Sequence, residues 1–294
     1  MTNESVEANS GKASRPQAIL LGSGDRRPKI VEACKQLRPQ FKELVDIVGE
    51  DFSYTEDLSE IEADVAIVLG GDGSILRAAK QMGNSQIPVL GVNLGKLGFL
   101  ADIHPDAVVE ALRCFVDGKF QLVDHLMIHC QVFRDDEMIA DEIGLNEVAI
   151  LGGPPFDIQQ IDLYVDDELA TNYLCDGLIV STPIGSTAHN LSAGGPILRK
   201  NLQAFVISPI SPHTLTVRPV VDTADRTYEL VVSKPNDSTC VLLDGQVLSP
   251  INEKDRVRIR RAKPVFQMIQ VSGNSYYSTL REKLGWSGQF GAKE

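Results

Sequence analysis

The run Val65-Ala66-Ile67-Val68-Leu69-Gly70-Gly71-Asp72-Gly73-Ser74-Ile75-Leu76 decides the fold. Its first five residues are all apolar, as in a strand buried on both faces of a parallel sheet. From Ser74 to Met82 the period changes, and Ile75, Leu76, Ala79 and Met82 fall on one face of a helix. A strand that feeds a helix through glycines puts backbone N–H groups at a helix N-terminus, which suits phosphate. Glycines also let a ligand approach the backbone closely. Aspartate is out of place in a pure anion cradle, because it repels phosphate. Asp72 either caps the helix or takes part in chemistry, by accepting a proton from an attacking hydroxyl or by helping to hold a metal beside phosphates.

Outward from this run, the same alternation continues. Residues 18–21 are a short apolar strand ending at Gly22, and residues 28–43 have helical periodicity through Ile30, Val31, Ala33 and Leu37. Residues 89–92 are another buried strand, and 106–117 are helical. Strands alternating with helices predict a parallel α/β sheet. Near residue 125 the character changes to short strands and turns, such as the alternating stretch 161–165 that turns at Asp166-Asp167. The expectation is an α/β domain over 17–124, a β-rich, β-sandwich-like domain over 125–267, and a tail over 268–294 that rejoins the first. In the tail, Tyr277, Leu280 and Leu284 have helical spacing ahead of Trp286. Residues 1–16 are polar, lack an apolar h-region and read as a disordered leader.

Composition narrows the classes of function. The chain has 294 residues and a net charge of −12, which argues against a nucleic-acid partner. Its only dense basic run, Arg258, Arg260, Arg261 and Lys263, alternates with apolar residues as a solvated strand face would. No apolar stretch is long enough to span a bilayer, so no membrane partner is expected. The five cysteines are odd in number and form no C-x-x-C pair, so a reducing cytoplasm fits best. The histidines lack metal-ligand spacing, and no protein-caged metal is expected.

Nucleotide signatures are partly missing. There is no G-x-x-x-x-G-K-[ST]. Gly22-Ser23-Gly24 is half of a G-x-G-x-x-G, but position 27 is Arg27, so a plain strand-to-helix turn is the better reading. Residues 176–198, DGLIVSTPIGSTAHNLSAGGPIL, are denser: small hydroxyls and glycines can wrap a polar ligand or form an ordinary loop. Asn146-Glu147 can hold ribose hydroxyls or simply end a strand. Asp244-Gly245-Gln246 reads as a hairpin turn.

Together these runs resemble the NAD kinase family. The motifs occur in order: GGDGS at 70–74, GVNLGKLGFL at 91–100, NE at 146–147, DGLIVSTPIGSTAHNLSAGGPI at 176–197, PISPHTLTVRPVV at 209–221 and DGQ at 244–246. The resemblance runs from about residue 17 to 288, and the long block at 176–197 is its most specific part. It implies the two-domain fold above, with the site between the domains, and a homodimer or homotetramer. It implies magnesium-dependent phosphoryl transfer from ATP to the ribose 2′-hydroxyl of NAD, giving NADP. By motif position Asp72 is the proton acceptor with Gly73 beside it. Asn146 and Glu147 hold the adenosine part of NAD. Asp176, with Ala188 and Ser192, faces the nicotinamide side. Thr187 meets the adenine, Gln246 lines the same pocket, Arg77 reaches a phosphate, and His189 and Asn190 complete the NAD-binding set. In the family tyrosine usually stands at His189, and a small hydroxyl residue often at Ile184. Two other classes share features: lipid kinases also carry GGDG, and a silent nucleotide sensor or a dehydrogenase would use Gly22-Ser23-Gly24. The block from Thr187 to Gly195 and the lack of a membrane-binding face favour the NAD kinase resemblance.

Overall fold

A computed structural model describes residues 15–24, 28–58, 60–95, 98–271 and 276–285. All but the last two residues of the expected leader, together with Arg27 and Trp286, lie outside the described residues. The first part runs β1 (Gln17–Gly22), α1 (Pro28–Leu44), β2 (Asp46–Asp51), β3 (Val65–Gly70), α2 (Asp72–Met82), β4 (Val89–Asn93) and α3 (Val108–Val116). The helix expected over 106–117 opens with a 3-10 turn at Pro105–Ala107 before α3. The four strands pair in parallel in the order β2-β1-β3-β4.

Helices cover both faces of this sheet, which is why its central strands are apolar throughout. Ala18 and Leu20 of β1, with Val65, Ile67 and Leu69 of β3, pack against Ile30, Cys34 and Phe41 of α1 and Leu112 of α3. The alternate residues Ile19, Leu21, Ala66 and Val68 meet Ile75, Ala78, Ala79 and Met82 of α2. The period of two in a strand sends neighbours to opposite faces, and here both faces are buried.

The rest is β-rich. Its strands are β5 (Gln121–Arg134), β6 (Glu137–Gly144), β7 (Glu147–Leu151), β8 (Gln159–Val165), β9 (Glu168–Cys175) and β10 (Gly177–Ser181). After the short α4 (His189–Ser192) follow β11 (Ala204–Ile210), β12 (Val220–Thr223), β13 (Tyr228–Val232), β14 (Cys240–Leu243), β15 (Gln246–Pro250) and β16 (Arg256–Gln270), then α5 (Tyr276–Leu284). The hairpin at Asp166-Asp167 has both residues at positive φ, 48° and 68°, as a two-residue turn of matching twist requires. An antiparallel sheet in the order β12-β11-β10-β7-β14-β15 packs on a second sheet. Between them lies a core of alternating inward residues, including Ile128 and Cys130 of β5, Val148 and Ile150 of β7, and Val257 and Ile259 of β16.

β16 joins the two parts. Its first half pairs antiparallel with β13 and β5. The register shifts between Arg261 and Val265, a span containing Pro264, which has no N–H to give a ladder. Its second half brings Met268 beside Val89 of β4, so one ten-stranded sheet extends from β2 to β9. The basic run lies on this strand. Arg258 donates to Glu229 at 2.7 Å and stacks on Phe133, and Arg260 donates to Gln131. No helix among the described residues is long and apolar enough to cross a membrane.

Candidate active site

Asp72 is the first residue of α2, and it does not cap that helix. The N-cap is Gly71, with no side-chain hydrogen bond. The Asp72 carboxylate reaches across to the loop after β4. Oδ2 accepts from Phe99 N–H at 2.7 Å, and Oδ1 accepts from Leu100 N–H at 2.9 Å and Ala101 N–H at 3.0 Å. A carboxylate has about four lone-pair positions. Among the described residues three are filled, and the remaining one is on Oδ2. Gly98 permits this clamp, since a Cβ there would lie 2.0 Å from Asp72 Oδ1. A Cβ on Gly71 or Gly73 would meet nothing within 4 Å. Open space therefore borders the first turn of α2, where the Asp72 and Gly73 N–H groups precede the first backbone bond, Ser74 N–H to Gly71 O at 2.9 Å.

A second aspartate repeats the device. Asp244, at φ 50° in the turn before Gly245, accepts from Leu145, Asn146 and Glu147 N–H at 2.8, 2.7 and 3.1 Å. Its own N–H returns to Glu147 O. By sequence this residue is only a turn former, whereas the structure makes it the anchor of the Asn146-Glu147 corner. Glu147 starts β7, is 6% exposed, and has one carboxyl oxygen, Oε2, with no hydrogen-bond partner. Burial first, then the charge of Asp244, pushes its pKa up to about 8. Burial raises Asp244 too, opposed by the three N–H donors. No side-chain hydrogen bond to Glu147 offsets its burial among the described residues.

The Gly/Ser block lies on this corner. Ser181, the last residue of β10, is in register with Glu147. Thr182 N–H donates to Asn146 O at 2.8 Å, and Thr182 Oγ1 donates to Leu145 O at 2.6 Å. Gly185 packs so closely that a Cβ would sit 2.1 Å from Asn146 O. Thr187 and Ala188 are half-buried, and His189 and Ser192 are exposed at α4. Asn190 is wholly buried: it donates to Ser186 O and Pro196 O and accepts from Ser208 Oγ, so its side chain braces the loop. Ile184, 4% exposed, packs in the cluster containing Ile75, Ala79, Met127 and Leu145. Ile184 is thus an apolar pin between the two parts.

Three expected site residues lie elsewhere around this centre. Gln246 is exposed at the start of β15. Arg77 is five residues after Asp72, about 140° further round the helix. Its guanidinium lies over the Tyr54 ring at 4.3 Å and donates to Ser53 O, on the side of Ser23. Asp176 precedes β10, at the opposite end of that strand from Ser181. Five residues of strand separate them by roughly 16 Å. Asp176 meets His213, with His213 Nε2 3.3 Å from its Oδ1.

A helix start with open N–H groups, beside a carboxylate that keeps one acceptor position, suits phosphoryl transfer to a hydroxyl, and the sequence has no P-loop. Comparison with known proteins gives the family. Residues 26–120 match the ATP-NAD kinase N-terminal domain, and residues 145–271 match the ATP-NAD kinase C-terminal domain. The NAD kinase of Rhodopirellula baltica is 54% identical over 279 residues, covering 95% of this chain and 89% of that protein. The NAD kinase of Shewanella oneidensis is 40% identical over 236 residues, 79% of this chain and 81% of that one. Among solved structures, an Archaeoglobus fulgidus NAD kinase in complex with ATP aligns with a TM-score of 0.70 at 25% identity, covering 92% of this chain and 98% of its own. Yeast NADH kinase complexed with NADH shares the fold, with a TM-score of 0.83 at 20% identity over 96% of this chain and 91% of that one. The chain belongs to the NAD kinase family, and its activity is the phosphorylation of NAD.

Proposed function

We propose that the chain transfers a phosphoryl group from ATP to the 2′-hydroxyl of the adenosine ribose of NAD, giving NADP, with Asp72 as proton acceptor. The observation that carries this reading is the lone-pair position left on Asp72 Oδ2 beside the open start of α2. A ribose hydroxyl is a poor nucleophile, and a fixed carboxylate within hydrogen-bond reach orients it and takes its proton late in the transfer. The first-turn N–H groups of α2, with Gly73, favour the negative charge of the phosphates, and Arg77 adds a cation on the Ser23 side. Asn146 and Glu147 bind adenosine, with Thr187, His189 and Gln246 around the base and Ala188 toward the nicotinamide side. Asn190 positions that loop from within.

Magnesium enters on the donor phosphates. No three His, Cys, Asp or Glu side chains gather into a cage among the described residues, and magnesium commonly takes only one or two carboxylates besides phosphate oxygens and water. When bound it neutralises phosphate charge. The enzyme is a cytoplasmic homodimer or homotetramer. Leu174, Leu215, Phe156 and Ile158 are exposed. Leu174 is two residues from Asp176 in sequence and accepts from His213 N–H, Ile158 precedes Gln159, the partner of Cys175, and Leu215 follows His213 by two residues. A second copy would cover these side chains and place Asp176, with Ser192, against the nicotinamide end of a dinucleotide held by its partner.

The test is the identity of the product and its dependence on Asp72. Incubation with ATP, magnesium and NAD should give a product with the ³¹P NMR signal of a 2′-phosphate that an NADP-specific dehydrogenase reduces; a 3′-phosphate would defeat the assignment. Asp72→Asn should lower kcat by on the order of 10²-fold. Full turnover in that variant would remove Asp72 as proton acceptor.

A further inference from the structure

The loop that clamps Asp72 has a second charged attachment. Lys200 follows the Gly/Ser block, and its ammonium donates to the carbonyl oxygen of Phe99 at 2.5 Å. That carbonyl and the N–H of Leu100 belong to one peptide unit, and this N–H donates to Asp72 Oδ1 at 2.9 Å. Ammonium, peptide and carboxylate thus form a chain in which the cation polarises the peptide and strengthens its donor end. Toward the other side the segment is tied to the NAD-binding block. Leu198 N–H donates to Ser186 Oγ at 3.0 Å, and Leu198 O accepts from the Tyr276 hydroxyl.

A cavity of about 210 Å³ adjoins this chain, lined by Asp102, His125, Arg199 and Tyr276 among others. The charged groups near Lys200 also include Asp72 and, from α5, Lys283, whose ammonium lies 5.9 Å from the Phe99 ring centroid. Asp102 lies on the clamp loop itself. His125 of β5, 3.5 Å from Lys200 O, is driven down to about 4 by burial and then by Lys200, so it is neutral near pH 7. Arg199 is held over the rings of Tyr276 and Tyr277. Burial pulls Lys200 down, while Asp102 and then Asp72 hold it up.

We propose that Lys200 is a positioning residue for phosphoryl transfer, fixing the Asp72 carboxylate through the Phe99–Leu100 peptide and coupling it to the NAD-binding loop. This inference rests on Asp72 being the proton acceptor, so Asp72→Asn is measured alongside. Lys200→Met keeps the stem and removes both charge and donor. Lys200→Gln keeps a donor for Phe99 O without charge, and Lys200→Arg keeps both. The Met variant should lose about tenfold in kcat, with KM for NAD within about twofold of wild type. Gln should be intermediate, and Arg should recover most of kcat. A wild-type kcat in Lys200→Met, with Asp72→Asn inactive, would overturn the role of Lys200 and leave that of Asp72. Full turnover in Asp72→Asn would overturn both. Equal losses in all three Lys200 variants, tracking a lowered thermal midpoint, would mean a merely structural lysine. If the Met variant does not fold, the Gln and Arg pair makes the same comparison.

Discussion

A carboxyl group with an unpartnered oxygen, buried beside another carboxylate, is costly to ionise. Glu147 is such a group, and the cost has a sign that pH can read. Its folded pKa, about 8, lies above the ordinary value of 4.5. Between those values the folded chain holds a proton that the unfolded chain has released. Stability from this group is therefore full below about 4.5, falls as pH rises toward 8, and is level above. Glu147→Gln removes the dependence. In the ligand-free enzyme the variant should melt a few degrees higher than wild type at pH 8, and the gap should close toward pH 4.5. Parallel melting curves for the two proteins across that range would show that Glu147 is not the group that titrates.

At the scale of single elements, the site is a set of loops held by aspartates, and this explains what the sequence could and could not reveal. α2 and its sheet are legible because their signals are local: an apolar run, glycines, then helical spacing. The clamp on Asp72 is not, because its donors are the backbone N–H groups of Phe99, Leu100 and Ala101, and any residue other than proline offers those. Asp244 reads as a turn for the same reason, its three donors lying 97 to 99 residues away. Asp176 and Thr187 belong to one motif, yet the length of β10 sets them far apart. Lys200 carries no signal of its own, being one lysine after a glycine-rich block. Gly98 is legible only as part of a family motif, but its physical reason is plain once the clamp is seen. A methyl group there would sit 2.0 Å from Asp72 Oδ1. Gly98→Ala should therefore displace the carboxylate and lower kcat by at least about tenfold, while far-UV circular dichroism stays unchanged. An active Gly98→Ala enzyme would mean that the clamp is dispensable for catalysis.

At the scale of the whole molecule, β16 and Ile184 make one body of the two parts, so the Asp72 and Glu147 regions are fixed relative to each other. Asp176 is the exception: it stands at the far end of β10, next to apolar side chains that water covers poorly, with Leu215 94% exposed. Contiguous exposed apolar surface commonly marks a contact between proteins. A homo-oligomer resolves both features if this end of one subunit completes the site of another. Leu174→Asp combined with Leu215→Asp should then convert the enzyme to monomers in sedimentation and abolish its activity together with its assembly. Complementation separates shared sites from mere aggregation. Asp72→Asn and Asp176→Ala should each be inactive alone. After unfolding and co-refolding, mixed oligomers contain sites that pair an intact Asp72 from one chain with an intact Asp176 from the other, and these should regain activity. If subunits demonstrably exchange and no activity returns, Asp176 serves its own chain, and the apolar end of the molecule has a different partner.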